Sequence, residues 1–282
     1  MVAAGDDGAM NAGPAKPRPA ATVMLVRDAP AGIEVLMVTR NVASDFASGA
    51  LVFPGGRVDA ADSAPAMLEC CRAVPGVAPD AMAFRVAGIR ETFEEARLLL
   101  VRRPGEDRLM SSQEVDALEA RVKSQSQPVP PLADLVATGE IELASDLMVP
   151  FAHWITPVDS PKRYDTLFFL APAPEDQVAA HDGREAVEAV WIAPEAAVAA
   201  ADAKRATLVF ATRLNLLKLS GSRCVADALA AARGAAVVTV CPEVVETPEG
   251  TLLRIPANAG YGVTEMLAKG MVRAWTRPRG EA

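Results

Sequence analysis

The sequence predicts an α+β fold, and two kinds of pattern support this. Short runs rich in β-branched or aromatic residues are bounded by Pro, Asp and Gly, as strands are. Longer segments repeat their apolar residues at helical spacing. The 282 residues, of which 51% are hydrophobic, are enough for one large domain, or one and a half ordinary ones, with a sizeable buried core.

Strands are predicted first at residues 21–26 and 32–39, which are joined by the turn Asp-Ala-Pro-Ala-Gly. A third apolar run, residues 50–53, ends at a pair of glycines. Later strands are predicted at residues 151–155, 166–171 and 186–192. Residues 235–240 and 251–255 flank the segment Thr-Pro-Glu-Gly, which predicts a hairpin near the end of the chain.

Four segments before residue 221 are predicted to be helical. Residues 84–100 repeat Val86, Ile89 and Phe93 at helical spacing, and a second helix should follow Ser111, which matches a capping box with Glu114. The other two helices are predicted at residues 194–201 and 211–219.

The ends of the chain differ in composition from its middle. Residues 1–20 are rich in Ala, Gly and Pro with few large apolar side chains, so we expect a disordered tail. We assign residues 21–220 to the main domain and residues 221–282 to a C-terminal extension made of a helix and a hairpin.

The net charge of −8 and the pI near 5.0 argue against nucleic acid or an anionic membrane as a partner, because these are negative too. We find no apolar run long enough to span a bilayer and no secretory signal in residues 1–20. The four cysteines lack metal-site spacing and suit a reducing compartment. We therefore expect a cytoplasmic protein.

The chemistry is concentrated in a short acidic segment, Arg90-Glu91-Thr92-Phe93-Glu94-Glu95. Glu91 precedes Glu94 by three residues and Glu95 by four, which places three carboxylates on one side of a helix. Such close like charges repel unless a cation neutralises them, and carboxylate oxygens suit Mg²⁺ or Mn²⁺. Taken alone, a solvated acidic helix surface would be the simpler interpretation.

A glycine turn, Phe53-Pro54-Gly55-Gly56-Arg57, precedes that helix, and the two segments together resemble the Nudix box. In that motif a glycine turn is followed by an acidic residue and then by a helix with the pattern Arg-Glu-x-x-Glu-Glu. This chain has Asp62 where the pattern has Glu, and Arg97 where it has Gly. An insertion of about 20 residues, near residues 63–84, separates the two halves.

Such an insertion is typical of the peroxisomal acyl-coenzyme A diphosphatase branch, which the chain resembles over roughly residues 20–220. The resemblance implies the Nudix fold, an α/β/α sandwich with a mixed sheet and extra helical insertions. It also implies Glu91, Glu94 and Glu95 as catalytic metal ligands, with Arg90 and Asp62 supporting them. Where the coenzyme A motif has a second Arg, this chain has Asp45, so Arg57, Lys162 or Arg163 would have to supply the charge.

Further site residues follow from the same resemblance. Arg40, Gly55, Gly56 and Arg163 are candidates for contacts with the substrate, although Arg40 and Arg163 could equally form ordinary ion pairs. Since the superfamily uses either a box Glu or an acid of a later loop as general base, Glu185 and Glu188 are candidates too. Trp154 is most simply a core residue, and the insertion is more simply an extra packed helix than part of an acyl pocket.

The resemblance therefore implies a pyrophosphohydrolase that uses Mg²⁺ or Mn²⁺. The leading substrate hypothesis is coenzyme A or acyl-coenzyme A, which would be cleaved to 3′,5′-adenosine bisphosphate and (acyl-)phosphopantetheine. ADP-ribose, NAD(H), nucleotide sugars and dinucleoside polyphosphates are alternative substrates. The alternative to an enzyme is a non-catalytic Nudix domain that senses a nucleotide. The protein could also form a homodimer.

Overall fold

A computed structural model of the protein describes residues 14–40, 50–122, 129–180 and 186–268. Its strands, in chain order, are β1 (Arg18–Ala29), β2 (Gly32–Arg40), β3 (Leu51–Val52), β4 (Gly55–Arg57), β5 (Val101–Arg102), β6 (Glu142–Leu143), β7 (Val149–Ile155), β8 (Tyr164–Pro172), β9 (Ala186–Ile192), β10 (Thr239–Val240), β11 (Glu243–Thr247), β12 (Gly250–Arg254) and β13 (Glu265–Leu267). Its helices are α1 (Pro65–Glu69), α2 (Pro79–Ala96), α3 (Ser112–Val122), α4 (Leu132–Val136), α5 (Pro194–Asp202), α6 (Phe210–Leu219) and α7 (Val225–Gly234).

An eight-stranded mixed sheet forms the centre of the fold, with the order β10-β7-β8-β1-β2-β3, while β4 pairs with β1 and β9 pairs with β2. Strand β1 runs parallel to β8 and antiparallel to β2. Strands β5 and β6 form a small separate ladder, and β11, β12 and β13 form a three-stranded sheet. The sheet is therefore mixed, as the resemblance implied.

Helices cover both faces of this sheet. Successive side chains of a strand point to opposite faces, and both faces carry apolar side chains that helices bury. On β1, Val23 and Leu25 pack in one apolar cluster with α2, whereas Met24 and Val26 pack in a second cluster with α5, α6 and α7. The predicted α/β/α sandwich is confirmed. Among the described residues no helix is long and apolar enough to cross a membrane.

The insertion packs against the core. Met67 of α1 is buried with α2, and Cys70 and Cys71 contact the same cluster. Burial raises the pKa of both thiols, and all four cysteines are free. The rest of the insertion includes the first turn of α2, which Pro79 begins at a position where proline suits a helix.

Several predicted boundaries need correction. The predicted tail ends too late, because Arg18 already pairs with Tyr164 in β1, while residues 1–13 lie outside the described part of the chain. The glycines after β3 do more than turn the chain, since they form β4 against β1.

Other predictions are confirmed. The strand predicted at residues 186–192 is β9. The capping box of α3 is present, with the N–H of Ser111 donating to Glu114 Oε2 at 2.9 Å.

The predicted hairpin around Thr-Pro-Glu-Gly is present, and its second strand is as predicted, but its first strand is residues 243–247 and not residues 235–240. Strand β12 pairs with β11, and Thr247 lies opposite Gly250 across a two-residue turn. Residues 239–240 are β10, which runs parallel to β7 at the edge of the main sheet. Because α7 and β10 belong to the second apolar cluster, this part of the C-terminal extension shares the core of the main domain.

Candidate active site at the acidic helix and the glycine turn

Helix α2 carries the acidic segment on its last two turns. Glu91 and Glu95 are 9% and 3% exposed, whereas the Glu94 side chain is 41% exposed. Val86, Ile89 and Phe93 of the same helix are fully buried, as their spacing predicted. The apolar side therefore fixes the helix on the sheet and turns the acids towards β4.

Strand β4 meets these acids through its backbone. The N–H of Gly55 donates to Glu95 Oε2 at 3.0 Å. A Cβ atom at Gly56 would lie 2.4 Å from Glu91 Oε1, so a side chain at this position would collide with the carboxylate. A side chain at position 56 would therefore displace the Glu91 carboxylate.

Arg90 joins the two halves of the motif. Its guanidinium donates to both carboxylate oxygens of Asp62 at 2.9 and 3.0 Å, to Glu91 at 2.8 Å, to Glu94 at 3.1 Å and to the carbonyl of Arg57 at 2.9 Å. Burial alone would lower the pKa of Arg90, but the hydrogen bonds to Asp62 and the nearby negative charges outweigh burial and raise it. Arg90 therefore stays charged and orients the carboxylates.

Asp62 supports this arrangement from the first half of the motif. It is 1% exposed, and besides its two bonds from Arg90 it accepts the N–H of Asp59 at 2.8 Å. The shorter aspartate thus reaches Arg90 directly. The supporting role assigned to Asp62 from the sequence stays a prediction.

Arg97 ends α2 in the left-handed conformation that the motif normally assigns to glycine, with φ 60° and ψ 18°. Its N–H closes the helix on the carbonyl of Phe93 at 3.0 Å, and its guanidinium lies 4.8 Å from the centre of the Phe93 ring. The same guanidinium donates to both oxygens of the buried Glu119. These contacts offset the backbone strain, which is about 1 kcal/mol for a residue other than glycine.

The two halves of the motif border one cavity of about 430 Å³. The motif contributes the glycines, Arg57, Asp59, Arg90, Glu91 and Glu94 to it. Its other walls come from the sheet and from the start of α6, namely Ala20, Thr22, Val52, Phe53, Trp154, Ile155, Thr156, Tyr164, Thr166, Phe168, Val209, Ala211 and Thr212. No residue of the insertion lines this cavity, which agrees with the simpler prediction of an extra packed helix.

The floor of the cavity crosses four strands. In the strand registers Trp154 lies beside Thr166, Thr166 beside Ala20, and Ala20 beside Arg57. Neighbouring residues of paired strands project from the same side of a sheet, so these four side chains form a row. The row extends over three strand spacings of about 4.8 Å, or about 14 Å.

Trp154 is a core residue, as predicted, but it is also part of the cavity wall, which its sequence context did not indicate. Its indole N–H donates to the hydroxyl of Tyr261 at 2.9 Å, and that hydroxyl donates to Asn215 Oδ1 at 2.7 Å. Tyr261 comes from the C-terminal extension. The extension therefore holds one wall of the cavity in place.

The other predicted site residues lie elsewhere or outside the description. The guanidinium of Arg163 donates to the carbonyls of Thr156 and Ala15 at 3.0 Å, and Arg163 does not line this cavity, so these two contacts are structural. Glu188 is exposed on β9, opposite Thr39. Arg40 ends β2, but its side chain is outside the described set, as are Glu185 and Asp45.

The acids fit a hard divalent cation by type, since they supply carboxylate oxygens, two of them from residues that border the cavity. As the side chains are placed, however, the described ranges contain no three His, Cys, Asp or Glu residues grouped as a metal site. Arg90 and the N–H of Gly55 occupy carboxylate oxygens instead. An ionised carboxylate has about four lone-pair sites, so Glu91 and Glu94 could keep their bonds from Arg90 and still offer oxygen lone pairs to a cation.

Comparison with known proteins identifies the family. The sequence profile of the NUDT19 Nudix domain matches residues 69–209, which is half of the chain. The chain is 27% identical over 238 residues to a Gallus gallus protein named acyl-coenzyme A diphosphatase NUDT19, covering 64% of this chain and 62% of that protein. It is 26% identical to the putative nudix hydrolase 7 of Caenorhabditis elegans, covering 58% of this chain and 48% of that protein. The chain thus spans less than two thirds of the length of these relatives.

A solved structure gives the same answer. The crystal structure of a NUDIX hydrolase from Alicyclobacillus acidocaldarius superposes with a TM-score of 0.65 at 27% sequence identity. The match covers 76% of this chain and 96% of the crystallised chain. With the glycine turn and acidic helix in place, the chain belongs to the NUDT19 Nudix domain family of the Nudix hydrolase superfamily.

Proposed function

We propose that this protein hydrolyses the pyrophosphate bond of coenzyme A or acyl-coenzyme A with the help of Mg²⁺ or Mn²⁺. The products would be 3′,5′-adenosine bisphosphate and (acyl-)phosphopantetheine. The observation that carries the proposal is that acids of α2 and the backbone of β4 open into one cavity. The chicken and Xenopus laevis relatives, both named acyl-coenzyme A diphosphatase, support the choice of substrate.

Each group at the motif has a part in this reaction. Glu91, Glu94 and Glu95 would hold the cation, which when bound neutralises phosphate charge and lowers the pKa of water. Glu91 and Glu95 are buried and held by Arg90 and by Gly55 N–H, so their positions are fixed. Glu94 is the most exposed of the three and is therefore the best placed to accept a proton from water.

The rest of the cavity suits a nucleotide. Its volume, about 430 Å³, is in the range of small-molecule sites. Arg57 is exposed at the cavity edge beside the glycines, where its charge can attract a diphosphate. Trp154 and Phe168 give the floor apolar surface on which a base or ribose can pack.

The direct test is a panel of substrates. The purified protein is incubated with coenzyme A, acyl-coenzyme A, ADP-ribose, NADH, a nucleotide sugar and a dinucleoside polyphosphate, each with Mg²⁺, with Mn²⁺ or with EDTA. We expect metal-dependent release of 3′,5′-adenosine bisphosphate from coenzyme A. Clear turnover of ADP-ribose without turnover of coenzyme A would refute the choice of substrate.

Substitutions test the assignment of the acids. Glu94→Gln and Glu95→Gln should each lower turnover by about a hundredfold or more, the scale of a lost acid-base or electrostatic contribution. Glu69→Gln is the matched control, because Glu69 is exposed on α1 and does not border the cavity. Near-normal rates in both site variants would contradict the assignment, and binding without cleavage by the wild-type protein would favour a sensor domain.

A further inference from the structure

Trp154 borders the cavity but is held by residues that do not. It is 4% exposed, and its indole N–H donates to the Tyr261 hydroxyl at 2.9 Å. That hydroxyl donates in turn to Asn215 Oδ1 at 2.7 Å, and neither Tyr261 nor Asn215 lines the cavity. A buried indole N–H needs an acceptor, because leaving it without one costs free energy. The C-terminal extension therefore supplies the acceptor for Trp154.

Aromatic packing around Trp154 adds to this hydrogen bond. The Tyr261 and Trp154 rings have centroids 5.4 Å apart, and the Phe210 ring meets the indole edge-on with centroids 5.7 Å apart. Lys218 Nζ lies 5.5 Å from the centre of the Tyr261 ring, where a cation is attracted to the aromatic face. The neighbouring rings resist displacement of the indole, and the hydrogen bond to Tyr261 fixes its rotation.

The connection between β12 and β13 brings Tyr261 to Trp154. Gly260 and Gly262 flank the tyrosine and have φ of 79° and 69°. Glycine adopts this left-handed conformation at little cost, unlike residues with a Cβ atom. A Cβ atom at either position would meet nothing within 4 Å, so the backbone conformation and not a lack of space favours glycine there. The chain thus turns on both sides of the one side chain that reaches Trp154.

We propose that Tyr261 is a positioning residue for substrate binding, because its hydroxyl fixes the Trp154 indole in the cavity wall where the nucleoside part of the substrate packs. The proposal rests on the proposed function and extends it, since it makes the C-terminal extension part of substrate binding. A wall that is already fixed loses less conformational freedom when a ligand binds, which raises the affinity. Tyr261 does not line the cavity, so it acts on binding through Trp154 and not on the cleaved bond.

The test separates binding from chemistry. Tyr261→Phe keeps the ring but removes the hydroxyl, which leaves the indole N–H of Trp154 without its acceptor. The KM for coenzyme A with Mn²⁺ should rise by about fivefold to tenfold, while kcat should stay within about twofold of wild type. A general loss of structure would instead lower the active fraction, and with it the apparent kcat, at an unchanged KM. An unchanged KM would overturn the proposal.

Two further variants locate the effect. Thr247→Val is the matched control, because it removes another hydroxyl bond of the extension, from Thr247 to the Gly250 carbonyl at 2.7 Å, outside the cavity. The control should keep the wild-type KM, and an equal rise there would overturn the proposal. Trp154→Phe removes the indole N–H, so adding Tyr261→Phe to it should change KM by less than about twofold. Additive rises in KM in the double variant would also overturn the proposal.

Failure of this inference and failure of the proposed hydrolysis can be told apart. If coenzyme A is cleaved but Tyr261→Phe keeps the wild-type KM, the inference is refuted and the hydrolase proposal stands. If another member of the panel is cleaved instead, the KM for that substrate decides the inference. If none is cleaved, the Kd of 3′,5′-adenosine bisphosphate, measured by calorimetry in EDTA, replaces KM, and absence of binding would overturn both proposals. Thermal melting sets an assay temperature at which every variant is folded.

Discussion

Replacing Gly56 by alanine tests the close approach of α2 to β4. The new Cβ atom would lie 2.4 Å from Glu91 Oε1, 2.5 Å from its Cδ and 2.6 Å from its Oε2. Ordinary contact begins at 3.4 Å, so the carboxylate has to move by about 1 Å. All three atoms belong to the end of a flexible side chain, and the main chain can stay in place. The substitution should therefore disturb the site far more than the fold.

The expected size of the effect follows from this displacement. A misplacement of about 1 Å in a catalytic group can lower the rate about a hundredfold, which corresponds to about 2.7 kcal/mol. The assay is the release of 3′,5′-adenosine bisphosphate from coenzyme A with Mn²⁺, compared at saturating substrate. The melting temperature should change little, since the displacement is confined to the end of the Glu91 side chain and the main chain can stay in place.

A second glycine provides the control. A Cβ atom at Gly234, the last residue of α7, would meet nothing within 4 Å. Gly234→Ala should therefore keep the wild-type rate and leave stability unchanged or slightly higher. If Gly56→Ala retained turnover within about threefold of wild type, a fixed position of Glu91 would not be needed for catalysis.

Three further substitutions or measurements address stability and reactivity. Arg97→Gly relieves the left-handed strain but leaves the buried Glu119 without its cation, so urea unfolding should show a loss of about 1–3 kcal/mol; a gain would show that strain dominates. Arg85 is 5% exposed and forms no ion pair within the described residues; its guanidinium donates to the Ala81 carbonyl at 3.4 Å and lies 5.1 Å from the centre of the Phe169 ring. Burial lowers its pKa, so Arg85→Met should raise the free energy of unfolding by about 1 kcal/mol or more; destabilisation would show that these two contacts outweigh the cost of burying the charge. Burial raises the pKa of the Cys71 thiol to about 12, so at pH 8 iodoacetamide should label the exposed Cys241 first, and equal labelling rates by mass spectrometry would contradict this burial.

Local patterns were sufficient for most of the sheet and for the helix that carries the acids. The alternation of apolar and polar residues, together with the turn residues, located the strands within a few residues. This works because successive side chains of a strand point to opposite sides, so the buried side shows directly in the sequence. The capping box of α3 was predicted from Ser111 and Glu114 alone, since both of its hydrogen bonds lie within one turn. The acids of α2 were predicted as a group for the same reason.

Elements that depend on distant partners were not predictable in this way. The apolar residues up to Leu100 continue the helical repeat, but α2 ends at Ala96 because Arg97 takes a left-handed conformation that Glu119 and Phe93 support. Strand β10 is only two residues long and is defined by its pairing with β7, far away in the sequence. No local pattern encodes either contact.

The candidate site divides along the same line. Gly55, Gly56 and the acids were predicted from a motif, and the cavity contains both halves of it. The contribution of α6 to the cavity was not predicted, because Ala211 and Thr212 belong to no recognisable sequence motif. Only the folded chain shows that this helix starts at the cavity with an uncapped end.

The bonds of Arg90 to Asp62 and to the Arg57 carbonyl explain how the motif tolerates a long interruption. The Arg90 guanidinium holds the two halves of the motif together by these hydrogen bonds. A longer connection between them then costs little extra loop entropy, because that cost grows only with the logarithm of the connection's length. Evolution could therefore lengthen this connection without rebuilding the chemistry. A sequence search that requires an uninterrupted motif would miss such proteins. A search for the two halves of the motif, with a connection of any length between them, would find them.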